Sequence, residues 1–274
     1  MSAPQRRCEV ALEQFRLDGC TAVVTGAASG LGEAIARQFA TVGAHVVLLD
    51  INGEALHAVA QDIVAEGGRS ESIVGSVAVE SDVASAVDAA VKITGRLDVM
   101  ANIAGVAARQ SIEELDEAFL DRLYSVHLKG SAWGTKHAIR AMRSGGFAGS
   151  IINCASAAMD CPDDGLAPYA AMKAGICAFS RVAAKEAGKH NIRCNVISPG
   201  LIVTPMTRRY GIDENGRFDQ ARFDEFVDSI KSGNALDRAG DTGDIASAAL
   251  YLASKASKYV TGQILRVNGG AFMA

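Results

Sequence analysis

The stretch "TAVVTGAASGLGEAIA", residues 21–36, opens with five residues of strand character and becomes helical within a few positions. Its β-branched and apolar start favours a strand. Gly26, Gly30 and Gly32 then form a turn that opens a helix over 30–42. Glycines let a backbone turn sharply and approach a pyrophosphate, whose charge is stabilised by the free N–H groups of a helix N-terminus. The spacing is GxxxGxG rather than GxGxxG, and a turn of this kind can also be a tight strand–helix connection. Its position between the first strand and the first helix favours the dinucleotide reading.

The same rhythm continues along the chain. Strands are expected at 21–25, 45–50, 72–77, 97–102, 150–154, 193–198 and 263–267, and helices at 30–42, 53–66, 81–94, 113–143, 166–188 and 241–254. Short β-branched runs alternating with helices signal βαβ units and a parallel sheet. Several runs are apolar on both faces, as buried parallel strands are. The expected fold is α/β: one doubly wound, Rossmann-type domain with a seven-stranded parallel sheet flanked by helices. It covers 19–274, behind an N-terminal extension at 1–18. Residues 201–235 interrupt the rhythm and are too long for a simple turn, so they form a lid over the substrate.

The second strand ends in Asp50, eighteen residues after Gly32. A carboxylate there accepts hydrogen bonds from both ribose hydroxyls of an adenosine and repels a 2′-phosphate. No Arg or Lys in "DINGE" (50–54) counters it. NAD(H) is therefore the expected cofactor, rather than NADP(H).

Composition agrees with a single enzyme-sized domain. The 274 residues are 49% hydrophobic and 21% charged, enough for one sizeable core. A formal charge of −4 offers no basic footprint for nucleic acid and no patch for anionic lipid. No apolar run reaches the roughly 18 residues of a membrane span. The first twenty residues carry arginines but no apolar signal-peptide core. The six cysteines, at 8, 20, 154, 161, 177 and 194, form no CxxC pair or zinc spacing and read as reduced thiols in a cytoplasmic protein. No metal is expected, and no base is visibly paired with Cys161 to make it a nucleophile.

"PYAAMKAG" (168–175) puts Tyr169 and Lys173 four apart, on one face if helical. A nearby cation favours a phenolate and makes tyrosine a usable acid/base. A second copy, Tyr251 and Lys255 in "YLASK", shows that spacing alone does not decide.

Taken in order, the motifs resemble those of the NAD(P)-dependent short-chain dehydrogenase/reductase family. Its TGxxxGxG turn is met by Thr25 through Gly32, and its NNAG segment appears as "NIAG", Asn102 to Gly105. A serine is expected thirteen residues before the motif tyrosine; Ser156 in "NCASAA" satisfies this for Tyr169, whereas Tyr251 has Arg238 there. "NVISPGLIVTPM" (195–206) and "VNGG" (267–270) resemble the family's closing segments.

The resemblance implies a secondary-alcohol dehydrogenase or ketone reductase, assembled as a homotetramer. Tyr169 would be the general acid/base, Lys173 would lower its pKa and hold the nicotinamide ribose, and Ser156 would bond the reacting oxygen. It implies a phosphate turn made by Gly26, Ser29, Gly30, Leu31 and Gly32, with Asp50 and Ile51 at the ribose and Ser76 and Val77 at the adenine. Asn102, Ala104 and Gly105 would follow the fourth strand, with Pro199, Gly200, Ile202, Thr204 and Met206 on the nicotinamide side. Two departures stand out. "VHLKG" carries His127 where the family has an asparagine that helps place a relay water; imidazole, which titrates near neutrality, can fill in or simply pack. "GSVAV" supplies Ser76 in place of an aspartate.

The substrate wall is expected from residues near 106–110, from "AMDCPDDGLAP" (158–168) and from 201–235. Met206, Tyr210, Phe218, Phe223 and Phe226 concentrate there. They either pack the lid onto the body or a neighbouring subunit, or favour an apolar, cyclic or steroid-sized alcohol. Asp160, Asp163 and Asp164 either contact substrate hydroxyls or form a solvated turn. The alternatives are a 3-oxoacyl carrier-protein reductase, disfavoured by Asp50 because that chemistry draws on NADPH, and a non-catalytic NAD-binding sensor.

Overall fold

Alternation along β1 (Thr21–Thr25) explains how the sheet is built: Ala22 and Val24 face one core, and Val23 faces another. The computed structural model describes residues 12–107, 109–231 and 233–273. Seven strands follow in chain order: β1, β2 (His45–Asp50), β3 (Arg69–Val74), β4 (Val99–Asn102), β5 (Gly149–Cys154), β6 (Ile192–Pro199) and β7 (Ile264–Val267). All pair in parallel, in the spatial order 3-2-1-4-5-6-7. The order reverses between β1 and β4, which makes the crevice beyond their carboxyl ends the ligand-binding position of such a sheet.

The helices are α1 (Gly30–Thr41), α2 (Gly53–Ala65), α3 (Glu80–Thr94), α4 (Glu117–Leu123), α5 (Gly130–Ser144), α6 (Ala167–Gly188), α7 (Pro205–Arg208), α8 (Gln220–Lys231) and α9 (Thr242–Ala253). Ile35 and Phe39 of α1, Leu56 of α2 and Ile245 of α9 fill one face of the sheet. Val83 of α3, Met142 of α5 and Ala183 of α6 fill the other. No helix among the described residues is long and apolar enough to cross a membrane.

Two expectations need correction. The third strand lies at Arg69–Val74, not 72–77, so Ser76 and Val77 sit in the loop beyond its end. As an edge strand it buries little and tolerates Arg69 and Glu71, so an apolar run does not mark it. The chain leaves the sheet at Gly75, whose N–H donates to the Asp50 carbonyl, and the next N–H, of Ser76, donates to Asp82. The single helix expected over 113–143 is broken into α4, a π-helical segment Tyr124–Lys129, and α5. The Tyr251/Lys255 pair falls, by contrast, at a helix end as its context suggested: α9 stops at Ala253, so the two do not share a helix. Lys255 lies at the amino ends of β4–β6, away from the crevice.

Residues 1–11 of the expected extension, including Cys8, lie outside the described residues. The remainder is tied to the domain: Leu17 is buried in the α1 core and its N–H donates to the Val42 carbonyl. The 201–235 segment folds as α7, a 3-10 turn at Arg209–Gly211 and α8.

The glycine turn after β1 is fixed by close packing. A Cβ on Gly32 would lie 2.0 Å from the Gly26 carbonyl oxygen, and one on Gly26, at φ +70°, would lie 2.7 Å from Ala104 Cα. Gly32→Ala is expected to destabilise the protein by about 1–3 kcal/mol, the usual cost of overpacking. Thermal or urea unfolding of the variant beside the parent checks this.

Candidate active site

The turn is held open from both sides. Thr25 Oγ1 at the end of β1 accepts from the N–H groups of Ile103 (3.0 Å) and Ala104 (3.1 Å), which locks the "NIAG" segment beside the glycines. Asp50 at the end of β2 accepts from Ala28 N–H through Oδ2 (3.1 Å) and from Asn52 N–H through Oδ1 (2.9 Å). Its carboxylate is thereby oriented at the rim of a cleft of ≈ 290 Å³. Gly26, Ser29, Gly30, Leu31, Gly32, Asp50, Ile51, Ser76, Val77, Ala104, Gly105, Thr204 and Met206 all line this cleft.

A second cavity of ≈ 380 Å³ adjoins it, sharing Leu31, Ile103, Gly105, Thr204 and Met206. Ser156, Tyr169, Lys173 and His127 line it, with Pro199, Gly200 and Ile202. Ser156 begins a 3-10 turn, its Oγ accepting from Ala158 N–H (3.2 Å). Tyr169 and Lys173 lie one turn apart on α6, with Nζ 5.5 Å from the phenol ring centroid. The ammonium is only 3% exposed and donates to the Cys154 carbonyl at the end of β5 (2.8 Å).

Asn102 lines neither cavity. It is buried, and its Nδ2 donates to Asn153 Oδ1 (2.8 Å). Asn153 in turn donates to Ser180 (2.8 Å). This corrects its expected place at the cofactor: it joins β4 to β5 beneath the crevice.

His127, in the π-helical segment, is 1% exposed. Its Nε2–H donates to the Val106 carbonyl (2.8 Å), which leaves Nδ1 as a buried acceptor with no partner among the described residues. The ring meets Tyr169 edge-on at 5.2 Å and sits against Gly105. Burial, helped by the Lys173 charge, pushes its pKa down from 6.5 to about 3. The imidazole is therefore neutral at physiological pH, and the expectation that it titrates near neutrality is corrected.

The lid aromatics divide. Tyr210 and Phe226 are stacked at 4.3 Å and line the cavity, whereas Phe223 is buried against Phe218 and Gly211. The aspartates of the 158–168 loop are engaged: Asp160 holds Arg266 (2.8 Å) and Asp163 holds Arg109 (2.7 Å). Cys161 lines the cavity, and Cys154 is a buried thiol whose pKa burial raises. Asn234 reaches the cavity from the expected 201–235 segment, whereas sequence reasoning missed Ala271, which reaches it from near the C-terminal end with no local signal. It also missed Val106 as the partner of His127.

A family model described as enoyl-(acyl carrier protein) reductase matches residues 26–271. A structure of a short-chain type dehydrogenase/reductase from Mycobacterium marinum superposes with a TM-score of 0.87 at 28% identity, covering 96% of this chain and 99% of that one. Borneol dehydrogenase, mitochondrial, from Lavandula x intermedia is 39% identical over 257 residues, 93% of this chain and 91% of the relative. The chain belongs to the short-chain dehydrogenase/reductase family. Within that family, the structure of a 7α-hydroxysteroid dehydrogenase complexed with NADH and 7-oxo glycochenodeoxycholic acid superposes with a TM-score of 0.86 at 31% identity, covering 94% and 96% of the two chains. The family is one of oxidoreductases, and this neighbour binds a nicotinamide cofactor.

The depressed pKa of His127 has a consequence for stability. Below pH 6.5 the unfolded chain binds a proton at this residue that the folded chain refuses until about pH 3. Stability is thus fully present above pH 6.5 and is lost as pH falls through that window, by at most about 1.4 kcal/mol per pH unit. His127→Asn should lose less stability than the parent between pH 6.5 and 4.5, by about 2–3 kcal/mol. Urea denaturation at the two pH values measures this; equal losses would remove the assignment of His127 as a buried neutral imidazole.

Proposed function

We propose that this protein is an NAD(H)-dependent dehydrogenase of a secondary alcohol, or reductase of the matching ketone, acting on an apolar or cyclic substrate. The observation that carries this reading is the shared cavity. Ser156, Tyr169 and Lys173 line a chamber of ≈ 380 Å³ that continues into the cleft framed by the glycine turn and Asp50. The glycine cradle, which a Cβ at position 32 would fill, and a buried ammonium with N–H groups to spare fit a dinucleotide cofactor.

In this reading Gly26, Gly30 and Gly32 receive the pyrophosphate, Asp50 the adenosine ribose and Lys173 the nicotinamide ribose. The cofactor, when bound, supplies or accepts the hydride. Tyr169 Oη takes the proton from the alcohol, or returns it to the ketone, while Ser156 Oγ holds the reacting oxygen by a hydrogen bond. The Lys173 ammonium stabilises negative charge developing on the phenol oxygen during that transfer. His127 stays neutral and, with Nε2 committed to Val106, offers Nδ1 as the acceptor for a relay water reaching Lys173.

NAD(H) is favoured over NADP(H) because an anchored carboxylate stands at the ribose end. Arg37 of α1 is drawn away to Glu33, Asp62 and Glu66. A homo-oligomer, a tetramer by family resemblance, is supported by exposed Leu120 of α4, Tyr124 and Val182 of α6. An apolar substrate is supported by Tyr210, Phe226 and Ile230 on the lid side of the cavity.

A spectrophotometric screen of NAD⁺ and NADP⁺ against secondary alcohols of graded size, including cyclic diols and hydroxysteroids, tests the reading. Turnover with NAD⁺ is expected; tight NADH binding without turnover of any alcohol or ketone indicates a sensor instead. Tyr169→Phe should lower kcat by ~10²–10⁴-fold, the span of general acid–base catalysis. Asp50→Ala should weaken NAD⁺ roughly ten- to a hundredfold in KM, since charged hydrogen bonds contribute about 1.5–3 kcal/mol. An unchanged preference for NAD⁺ in that variant would place cofactor choice elsewhere.

A further inference from the structure

The lid end of the second cavity carries chemistry that hydride transfer does not use. Arg109 and Tyr210 line it, and Arg209 precedes Tyr210 in the lid. Both guanidinium groups converge on one phenol ring: Arg109 Cζ lies 5.7 Å and Arg209 Cζ 5.3 Å from its centroid. Phe226 stacks on the same ring and fixes its plane. Burial raises the Tyr210 phenol, yet Arg209 and then Arg109 outweigh it and leave the pKa below its ordinary value. Two positive charges therefore face this ring.

The counter-charge is incomplete. Arg109 pairs with Asp163 (2.7 Å), a solvent-exposed pair of the kind that contributes little and exchanges readily. Arg209 donates to the Ala107 carbonyl and has no carboxylate within ion-pair distance among the described residues. Two cations thus stand by one exposed carboxylate, which pairs with Arg109 alone, at the lid end of the chamber, where Phe226 and Ile230 are apolar, in a protein whose formal charge is −4. Guanidinium groups match the planar, bidentate acceptors of carboxylate and phosphate.

We propose that the substrate is bifunctional: a secondary alcohol on an apolar body that also carries an anionic group, carboxylate or phosphate, received by Arg209 and Arg109 with Tyr210 between them. This rests on the second cavity being the substrate site. The same arginines also bridge segments, Arg209 tying the lid to Ala107 and Arg109 tying residues 106–110 to Asp163 and the Asp164 carbonyl. A purely mechanical strap would affect charged and neutral ligands alike, and this difference separates the two roles.

The experiment is calorimetric titration of the full-length protein saturated with NADH. The ligands are matched sets of cyclic secondary alcohols, from cyclohexanol to steroid size, each as carboxylic acid, methyl ester and phosphate monoester. At least one anion should bind roughly ten- to a hundredfold more tightly than its neutral counterpart, a preference that shrinks with added salt. Comparison of the acid and phosphate arms identifies which anion the site prefers. Arg209→Gln should abolish the preference, and Arg109→Gln should reduce it, with the neutral ligand's affinity kept. Equal binding of anion and ester throughout, binding of no anion, or equal weakening of both by Arg209→Gln overturns the proposal. Because the readout is binding, anion preference without turnover supports this subsite while counting against the dehydrogenase reading. Turnover of neutral alcohols without anion preference does the reverse.

Discussion

The ammonium of Lys173 is the constraint around which the active-site region is arranged. A buried charge without a counter-ion is costly unless its hydrogen bonds are supplied. Here the recorded acceptor is the Cys154 carbonyl, at the point where β5 ends and can no longer use that oxygen within the sheet. The helix carrying Lys173 must therefore stay pressed against the end of β5, and Tyr169, one turn earlier, is held over the same cavity. The charge also acts on its neighbours: it helps keep His127 neutral, and it opposes the rise that burial imposes on the Cys154 thiol.

Parallel topology makes this arrangement work. Every strand delivers its carboxyl end to the same edge, so the glycine turn after β1, Asp50 after β2, the "NIAG" segment after β4 and Ser156 after β5 meet without long excursions. Side-chain ties then set their spacing. Thr25 Oγ1 binds two N–H groups beyond β4, and Asn102, Asn153 and Ser180 link β4, β5 and α6 in a buried polar chain. Such networks are favourable to the extent that their members find partners, and here only Asn102 Oδ1, facing Gly134, has none among the described residues. Here the chain ties α6, whose Tyr169 and Lys173 line the second cavity, to the ends of β4 and β5.

Much of this was legible in the sequence, for identifiable reasons. The buried strands announce themselves because both faces are apolar, and the glycine turn because only glycine can occupy positions 26 and 32. Ser156, Tyr169 and Lys173 were found by order and spacing. The edge strand was misread because half of its surface meets water and polar residues there cost nothing. The π-helical segment was invisible because its composition is that of any helix; the inserted turn follows from how His127 and its neighbours pack. Asn102 was misassigned because its motif marks a strand end but does not say which way the side chain points.

The sequence by itself determined the class of sheet, the location of its nucleotide edge and the residue types available for proton transfer, since these depend on local periodicity and on positions that sterics restrict to glycine. Tertiary structure decided which residues share a cavity, which histidine nitrogen is committed, and which charges at the lid remain uncompensated. Those properties depend on distance and burial between segments as far apart as Arg109 and Tyr210. No pattern along the chain encodes desolvation, and it is desolvation that gives a charge or a ring nitrogen its chemistry.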